Sequence, residues 1–451
     1  MDDAQAWLNY LKPVLDKERT TLKALNDEYE LRAARLYMHP ELLAELGDRI
    51  QQVTIAWPQL VVDAVEERLD PLGFRLPKGE PDDEMWRVWQ ANNLDEESQL
   101  GRLDALVMKR SYMCIGSNAD DTSTPLVTVE SPLEVYADID PRDRSVRAAI
   151  RHYQEPSTDG REREQFASVY LPNMTSWFDI SKGNWQKVDE DKHNLGKVPV
   201  VPTVNRARIA DRYGKSELTP VLPLVHAANK LATDMMVGAE FVALPLRGIF
   251  GIGPADLEDK DGNPLTALQA IMGRLLTLPD ELGTAKHFEF KSADLANFHN
   301  AINHMATLVA SVAGLPPDYL GLKTDNPPSA ESRRAGEVRL IKRAERKMVP
   351  FGAAYEETQR FVRRFQTGDW DPELRRLETI WRDAATPTRA QTADASVKLR
   401  AEKVISNRQA QEDVGYTDAQ IQRMKTELEE EARQDPVKVL SRQLATADAG
   451  A

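Results

Sequence analysis

The chain has 451 residues, a formal net charge of -14, 29% charged residues and a mean hydropathy of -0.51. Its acidity argues against a tight sequence-reading DNA binder, whose affinity comes largely from neutralised phosphates, and leaves room only for local or loose DNA contact. No apolar run approaches the roughly 20 residues of a membrane span, the start MDDAQAWLNY lacks the parts of a signal peptide, and the single Cys114 excludes an internal disulfide and fits a reducing compartment.

The length suits two or three domains. Residues 1–56 predict charged, amphipathic helices broken at Met38, His39 and Pro40. In WPQLVVDAVEERLDPLGFR (57–75), Leu60, Val61, Val65 and Leu69 share one helical face. That helix should stop at Asp70–Pro71, with Gly73 turning the chain into a short strand, Phe74 to Leu76. Residues 82–110 predict two more helices. From 111 to about 203, short apolar runs between Pro, Gly and Asp-rich turns predict strands at 111–115, 126–130, 133–137, 146–153, 166–171, 175–180 and 198–203. The expectation is an antiparallel sheet packed on the N-terminal helices, an α+β arrangement that is mainly helical over the whole chain.

RARIADRYGKSELTP (206–220) reads as a polar loop, and a helix should follow over 218–243. Residues 244–293 form a compact αβ insertion, with strands at the glycine-rich 247–254, at 274–278 and at 286–290, and a short helix near 265–272. A second helix over 294–313 carries Leu295, Phe298, Ile302, Met305, Leu308, Val309 and Val312 at helical spacing. Gly314 is placed for a left-handed helix end, and Pro316 and Pro317 cannot continue the helix. The loop GLPPDYLGLKTDNPPS (314–329) is stiffened by prolines at both ends. Ser329 can cap the long helix that follows. Its stripe is Val338, Ile341, Met348, Phe351, Tyr355, Val362 and Phe365, and Pro350 predicts a kink. A strand near 375–381, helices near 389–402, 406–413 and 417–433, and a disordered tail over 434–451 complete the expectation.

Signatures of catalysis are missing. His299 and His304 project about 140° apart on a helix, poor geometry for one metal, and His226 stands alone. The glycines of 248–253 break at Pro254 and open no dinucleotide loop. Asp256, Glu258, Asp259 and Asp261 miss the calcium-loop register because Lys260 occupies a ligand position. There is no Walker A sequence, nucleophile elbow or HExxH. One charge feature is left: residues 333–347 hold Arg333, Arg334, Arg339, Lys342, Arg343, Arg346 and Lys347 against Glu337 and Glu345. It reads either as a solvated face with ion pairs to an acidic neighbour, or as intermittent phosphate contact.

Four stretches carry a resemblance: 57–75, QANNLDEESQLGRLDALVMKRSYMCIG (90–116), YGKSELTPVLPLVHAANKLATDMM (213–236) and VAGLPPDYLGL (312–322). With the basic, aromatic helix to Phe365 they make the chain, over roughly residues 10 to 430, similar to the portal proteins of tailed bacteriophages of the SPP1 type. The resemblance implies a wing over 1–217, stem helices over 218–243 and 294–313, and a clip over 244–293. A tunnel loop over 314–329, a long wing helix with its return strand over 330–385 and crown helices over 386–433 follow. It implies a homo-oligomeric ring, a dodecamer, at one vertex of the virion capsid, with double-stranded DNA passing through its channel. Further implied partners are the major capsid protein, a scaffolding protein, the terminase large subunit and a head–tail adaptor. No membrane, cofactor, metal or catalysis is implied, and assembly belongs in the host cytoplasm.

The implied DNA-channel residues are Pro316, Pro317, Asp318, Tyr319, Lys323, Thr324, Asp325, Asn326, Arg333 and Arg334, with Asp318 and Asp325 opposing Lys323. The implied docking surface is Asp256, Glu258, Asp259, Lys260 and Asp261. The rival expectations are a head–tail adaptor or other capsid ring protein, and an enzyme with a helical lid.

Overall fold

The computed structural model describes residues 3–32, 53–76, 82–155, 164–181, 184–243, 247–250, 275–278, 286–289, 295–322, 329–385, 389–416 and 418–434. The helix near 265–272, the acidic group 256–261, the Met38–Pro40 break, loop residues Lys323 to Asn326 and the tail beyond 434 lie outside them. The chain divides into two compact units, 1–384 and 385–451. In the second, helices run over Arg389–Ala401, Asn407–Asp413 and Asp418–Gln434.

In the first unit, α1 (Ala4–Tyr29) starts where the Asp3 carboxylate accepts from the Gln5 N–H, satisfying a free helix-end donor. Ala4, Leu8, Leu11 and Leu15 line one side of it and are buried. They pack on one face of a five-stranded antiparallel sheet of order β4 (Val135–Ile139), β5 (Val146–Glu155), β6 (Glu164–Tyr170), β7 (Thr175–Ser181) and β8 (Asn184–Asp191). Ile150, Val169 and Phe178 alternate into that face, the period-2 pattern of a half-covered sheet. A second sheet pairs β2 (Arg110–Gly116) with β3 (Leu126–Glu130) and β9 (Val200–Val204).

Four strand expectations need correction, one being the strand near 375–381, which starts at Glu378 because a 3-10 turn occupies Glu373–Arg376. β4 starts at Val135 because Ser131 O accepts from the Glu134 and Val135 N–H groups and holds 131–134 in a turn. The first strand, β1, spans Pro71–Arg75 rather than starting at Phe74, since it zips onto Glu378–Trp381 from Pro71 onward. β8 was not expected at all. Its sequence, NWQKVDED, has no apolar alternation, because it is an edge strand and charge there blocks further pairing.

The helical core gathers α2 (Trp57–Glu66), α3 (Asp83–Ala91), α4 (Leu94–Met108), α5 (Leu222–Ala243), α6 (Ala296–Ala313) and α7 (Ala330–Thr367). α5 begins four residues later than expected, after a turn in which Leu218 O accepts from the Val221 and Leu222 N–H groups. α5 and α6 lie side by side and antiparallel: Gly238, near the end of α5, faces Leu295 at the start of α6. Between those ends of the chain lie β10 (Arg247–Phe250), β11 (Leu275–Leu278) and β12 (Lys286–Glu289), with β10 central in their sheet.

The expected stripes hold along most of both helices: Ile302, Met305 and Val309 of α6, and Ile341, Met348, Phe351, Tyr355 and Val362 of α7, are buried or packed on the core. On α6 the buried side is Ala306, Val309, Ala310 and Ala313, small residues that admit a close neighbour, and Val312 is exposed. On α7 Leu340, Ala344, Phe351 and Tyr355 are buried while Val338 is exposed. Arg102 of α4 reaches both Glu66 of α2, at 3.2 Å, and the Tyr355 hydroxyl of α7, at 3.4 Å, fastening three helices at one buried point.

Candidate functional site

The root of the proline loop is built as its sequence requires. α6 ends at Gly314, whose φ of 68° is a left-handed conformation that costs glycine little. Leu315 is buried, and its N–H returns to Ala310 O at 2.9 Å. A single 3-10 turn, Pro317–Leu320, follows and ends at Gly321, again left-handed at φ 78°. Pro317 and Asp318 are exposed, whereas Tyr319 is half-buried. The Tyr319 hydroxyl donates to Glu337 Oε1 of α7 at 3.0 Å and accepts from Arg68 Nη2 at 3.2 Å. Arg68 also lies 3.4 Å from Glu337 Oε2 and donates to Ala384 O at 3.0 Å. Burial, and then the bond to Glu337, push the Tyr319 phenol above its ordinary range, so it stays a donor at any working pH. The loop thus leaves α6 and returns to α7 from a clamped base.

The cationic helix has a sharp division of labour. Arg339, Arg343 and Lys347 recur every four residues and so share one face of α7. Arg339 donates to Ser311 O of α6 at 2.9 Å. Arg343 and Lys347 both grip the carboxylate of Glu217, which is 1% exposed and lies just before α5. Arg206 stands 3.7 Å from the same carboxylate, and Asn205 Nδ2 donates to it at 3.1 Å. Burial alone would raise the Glu217 pKa. The charges of Lys347, Arg343 and Arg206 overcome that and hold it down at about 2. Lys347 is itself drawn below the lysine range by burial, against the pull of Glu217.

This cluster ties α7 to the entry of α5, so the ion-pair reading of the basic stretch holds for Arg343 and Lys347. Lys342 pairs with Glu345 on the outer side, and Arg346 is exposed. Arg334 is half-buried in the first turns of α7, and Arg333 lies in the same helix. The structure therefore gathers Pro316, Pro317, Asp318, Tyr319 and Arg334 near the two ends of the loop. Lys323, Thr324, Asp325 and Asn326, and the acidic group at 256–261, fall outside the described residues.

Arg68 and Glu217 escaped sequence reasoning. The one available signal was the imbalance of seven cations and two carboxylates over 333–347, which calls for an acid from elsewhere in the chain. His226, read as isolated, lies 2.8 Å from Glu28 Oε1. His299 and His304 are both exposed. Among the described residues no group of three His, Cys, Asp or Glu side chains is placed to hold a metal ion, and no helix is long and apolar enough to cross a membrane. The arrangement can position a stiff loop and fix the angle between helices.

The family model described as "Phage portal protein, SPP1 Gp6-like" matches residues 8–434. The portal protein of Mycobacterium phage D29 is 43% identical over 391 residues, which span 84% of this chain and 79% of that one. The portal protein of Mycobacterium phage L5 is 42% identical over 409 residues, 87% of this chain and 83% of its own. Among solved structures, a chain from the neck of an empty gene transfer agent particle overlaps 84% of this chain and 94% of its own, at 15% identity and a TM-score of 0.46.

Proposed function

Since the chain belongs to the SPP1 Gp6-like family of phage portal proteins, we propose that it works as a purely structural subunit of the portal ring, with α5 and α6 as the wall of a channel for double-stranded DNA. The ring occupies one vertex of the virion capsid and is the passage for DNA packaging and ejection. In this reading α5 and α6 are the stem, residues 244–293 the clip, 314–329 the tunnel loop and 1–217 the wing. α7 runs from the loop into the wing. The unit beyond 385 supplies the crown helices. The observation that carries it is the antiparallel pair α5–α6, joined at one end through a small sheet and fastened at the other by Glu217 and Tyr319 to α7. A helix of about 20 residues spans about 30 Å, enough to wall a duplex over most of a turn.

The charge distribution suits moving cargo. Duplex DNA carries one charge per about 1.7 Å, and deep cationic wells would brake it. A chain of net charge -14 repels it gently instead. With Arg339, Arg343 and Lys347 turned to internal partners, the cations assigned to the channel are Lys323, Arg333 and Arg334. The acidic group Asp256, Glu258, Asp259 and Asp261 with Lys260 is assigned to docking of the terminase large subunit during packaging and of a head–tail adaptor afterwards. Contacts with the major capsid protein and with scaffolding protein fall on the wing side, and assembly takes place in the host cytoplasm. ATP hydrolysis belongs to the terminase, and this subunit has neither cofactor nor catalytic step. Replacing Lys323, Arg333 and Arg334 together with Ala should change packaged DNA per particle or DNA retention severalfold, read by nuclease protection. Wild-type values for both would remove these three residues from the channel.

A further inference from the structure

The segment between β9 and α5 holds a surface that the channel does not use. Residues 206–213 fold back as a tight turn in which the Arg208 N–H donates to Asp211 O at 2.7 Å and the Asp211 N–H returns to Arg208 O at 3.1 Å. At its tip Ile209 is 87% exposed. In sequence it is flanked by Arg206, Arg208 and Arg212 against the one carboxylate of Asp211, Arg206 being the one that leans to Glu217. Among the described residues neither Arg208 nor Arg212 has an ion-pair partner.

The turn is rigid at its base. Tyr213 stacks on Tyr136 of β4 at 5.5 Å, and its carbonyl accepts from the buried Arg110 at 3.2 Å. The Arg110 guanidinium lies over the rings of Tyr213, Tyr136 and Tyr112 at 5.1, 5.6 and 5.9 Å, and its other side is held by Glu18. An apolar tip fixed in this way loses little conformational entropy when it is covered.

A complementary surface lies at the far edge of the same sheet. α1 covers one sheet face. On the other, Tyr153 and Phe166 stack at 5.6 Å, and Trp177 is 36% exposed. Asp179 is paired opposite Phe166, and Asp189 opposite Trp177, so these carboxylates share the aromatic face. Around them the β7–β8 segment carries Asp179, Asp189, Glu190 and Asp191 against Lys187 and Lys192. The turn is anchored at β4, whereas Trp177 lies on β7 and Asp189 on β8, three and four strand steps or about 14–19 Å away. The basic, apolar knob and the acidic, aromatic patch thus cannot meet within one chain.

We propose that the 206–213 turn of one subunit docks on the β7–β8 face of a second copy of this chain. The contact joins two different surfaces at opposite edges of one sheet. Such a head-to-tail contact repeats around an axis and closes into a ring when its rotation closes. Opposite charge selects the partner and the register, and Ile209 covers the exposed ring of Trp177. The contact rests on the ring reading above and assigns it a specific interface.

The test uses the full chain carrying Ile209→Cys and Asp189→Cys. Cys114 is buried and gives little background. Oxidation of assembled rings should give a ladder of covalent multimers, absent from either single variant. In parallel, Arg208→Glu should lower the ring fraction at least about tenfold, and Asp189→Arg added to it should restore most of the loss. Rings of the double-cysteine variant that yield no ladder, together with normal assembly of Arg208→Glu, overturn this interface and leave the ring reading standing. Failure of the wild-type chain to form rings alongside its capsid partners overturns both.

Discussion

Glu217→Gln is expected to cost about 3–5 kcal/mol, because it leaves the buried ammonium of Lys347 and the guanidinium of Arg343 facing a neutral amide. The loss should appear as a lower urea midpoint with the denaturant slope unchanged. Adding Lys347→Met should recover much of it, since removing both charges is far cheaper than removing one. The pH dependence has a definite sign. The carboxyl has a folded pKa of about 2, below its ordinary 4.5, so its contribution is complete above the unfolded value. It is lost as pH falls from about 4.5 towards 2. The stability gap between wild type and Glu217→Gln should therefore be widest near neutrality and close in acid. A gap that is small at pH 7, or that widens in acid, would contradict the three-cation clamp.

Gly214→Ala should be nearly as damaging, for a steric reason. Gly214 has φ +81°, and a Cβ there would lie 2.4 Å from Asn205 O and 2.8 Å from Lys109 O. Both are backbone atoms and cannot swing away. They belong to the hydrogen-bonded step that places Glu217: the Asn205 N–H donates to Lys109 O at 2.8 Å and the Lys215 N–H to Asn205 O at 2.9 Å. The left-handed backbone and the overpacking together cost roughly 2–5 kcal/mol. Gly196→Ala is the control, since Gly196 also has a left-handed φ, +73°, with open space around its Cα. It should lose only the dihedral part, roughly 1–2 kcal/mol. Equal losses in the two variants would show that the close approach at Gly214 is not what matters.

These two positions mark the limit of what the sequence makes legible. Periodicity located α5 and α6 because each buries one face over several turns, and Gly314 with Pro316 and Pro317 fixed where α6 stops. Short apolar runs between Pro, Gly and Asp-rich turns located β2 to β7. β8 escaped because an edge strand advertises itself by charge, which in a sequence looks like a loop. The stripes on α6 and α7 were drawn through the large apolar residues. The contact faces also take in Ala306, Ala310 and Ala344, where small size allows close packing, and leave out Val312 and Val338. Arg68 meets Tyr319, and Glu217 meets Lys347, across more than a hundred residues each, and local pattern carries no record of such meetings. The family resemblance supplied the order of parts, and the unbalanced cations of 333–347 gave the only local hint that α7 needed a distant acid.

Electron microscopy of the full-length protein tests the central claim most directly. A closed ring of identical copies with α5 and α6 lining an open axial channel, and the 314–329 loop projecting into it, is the predicted image. Single subunits that never close around an axis, or rings in which α5 and α6 face outward from it, would contradict the account.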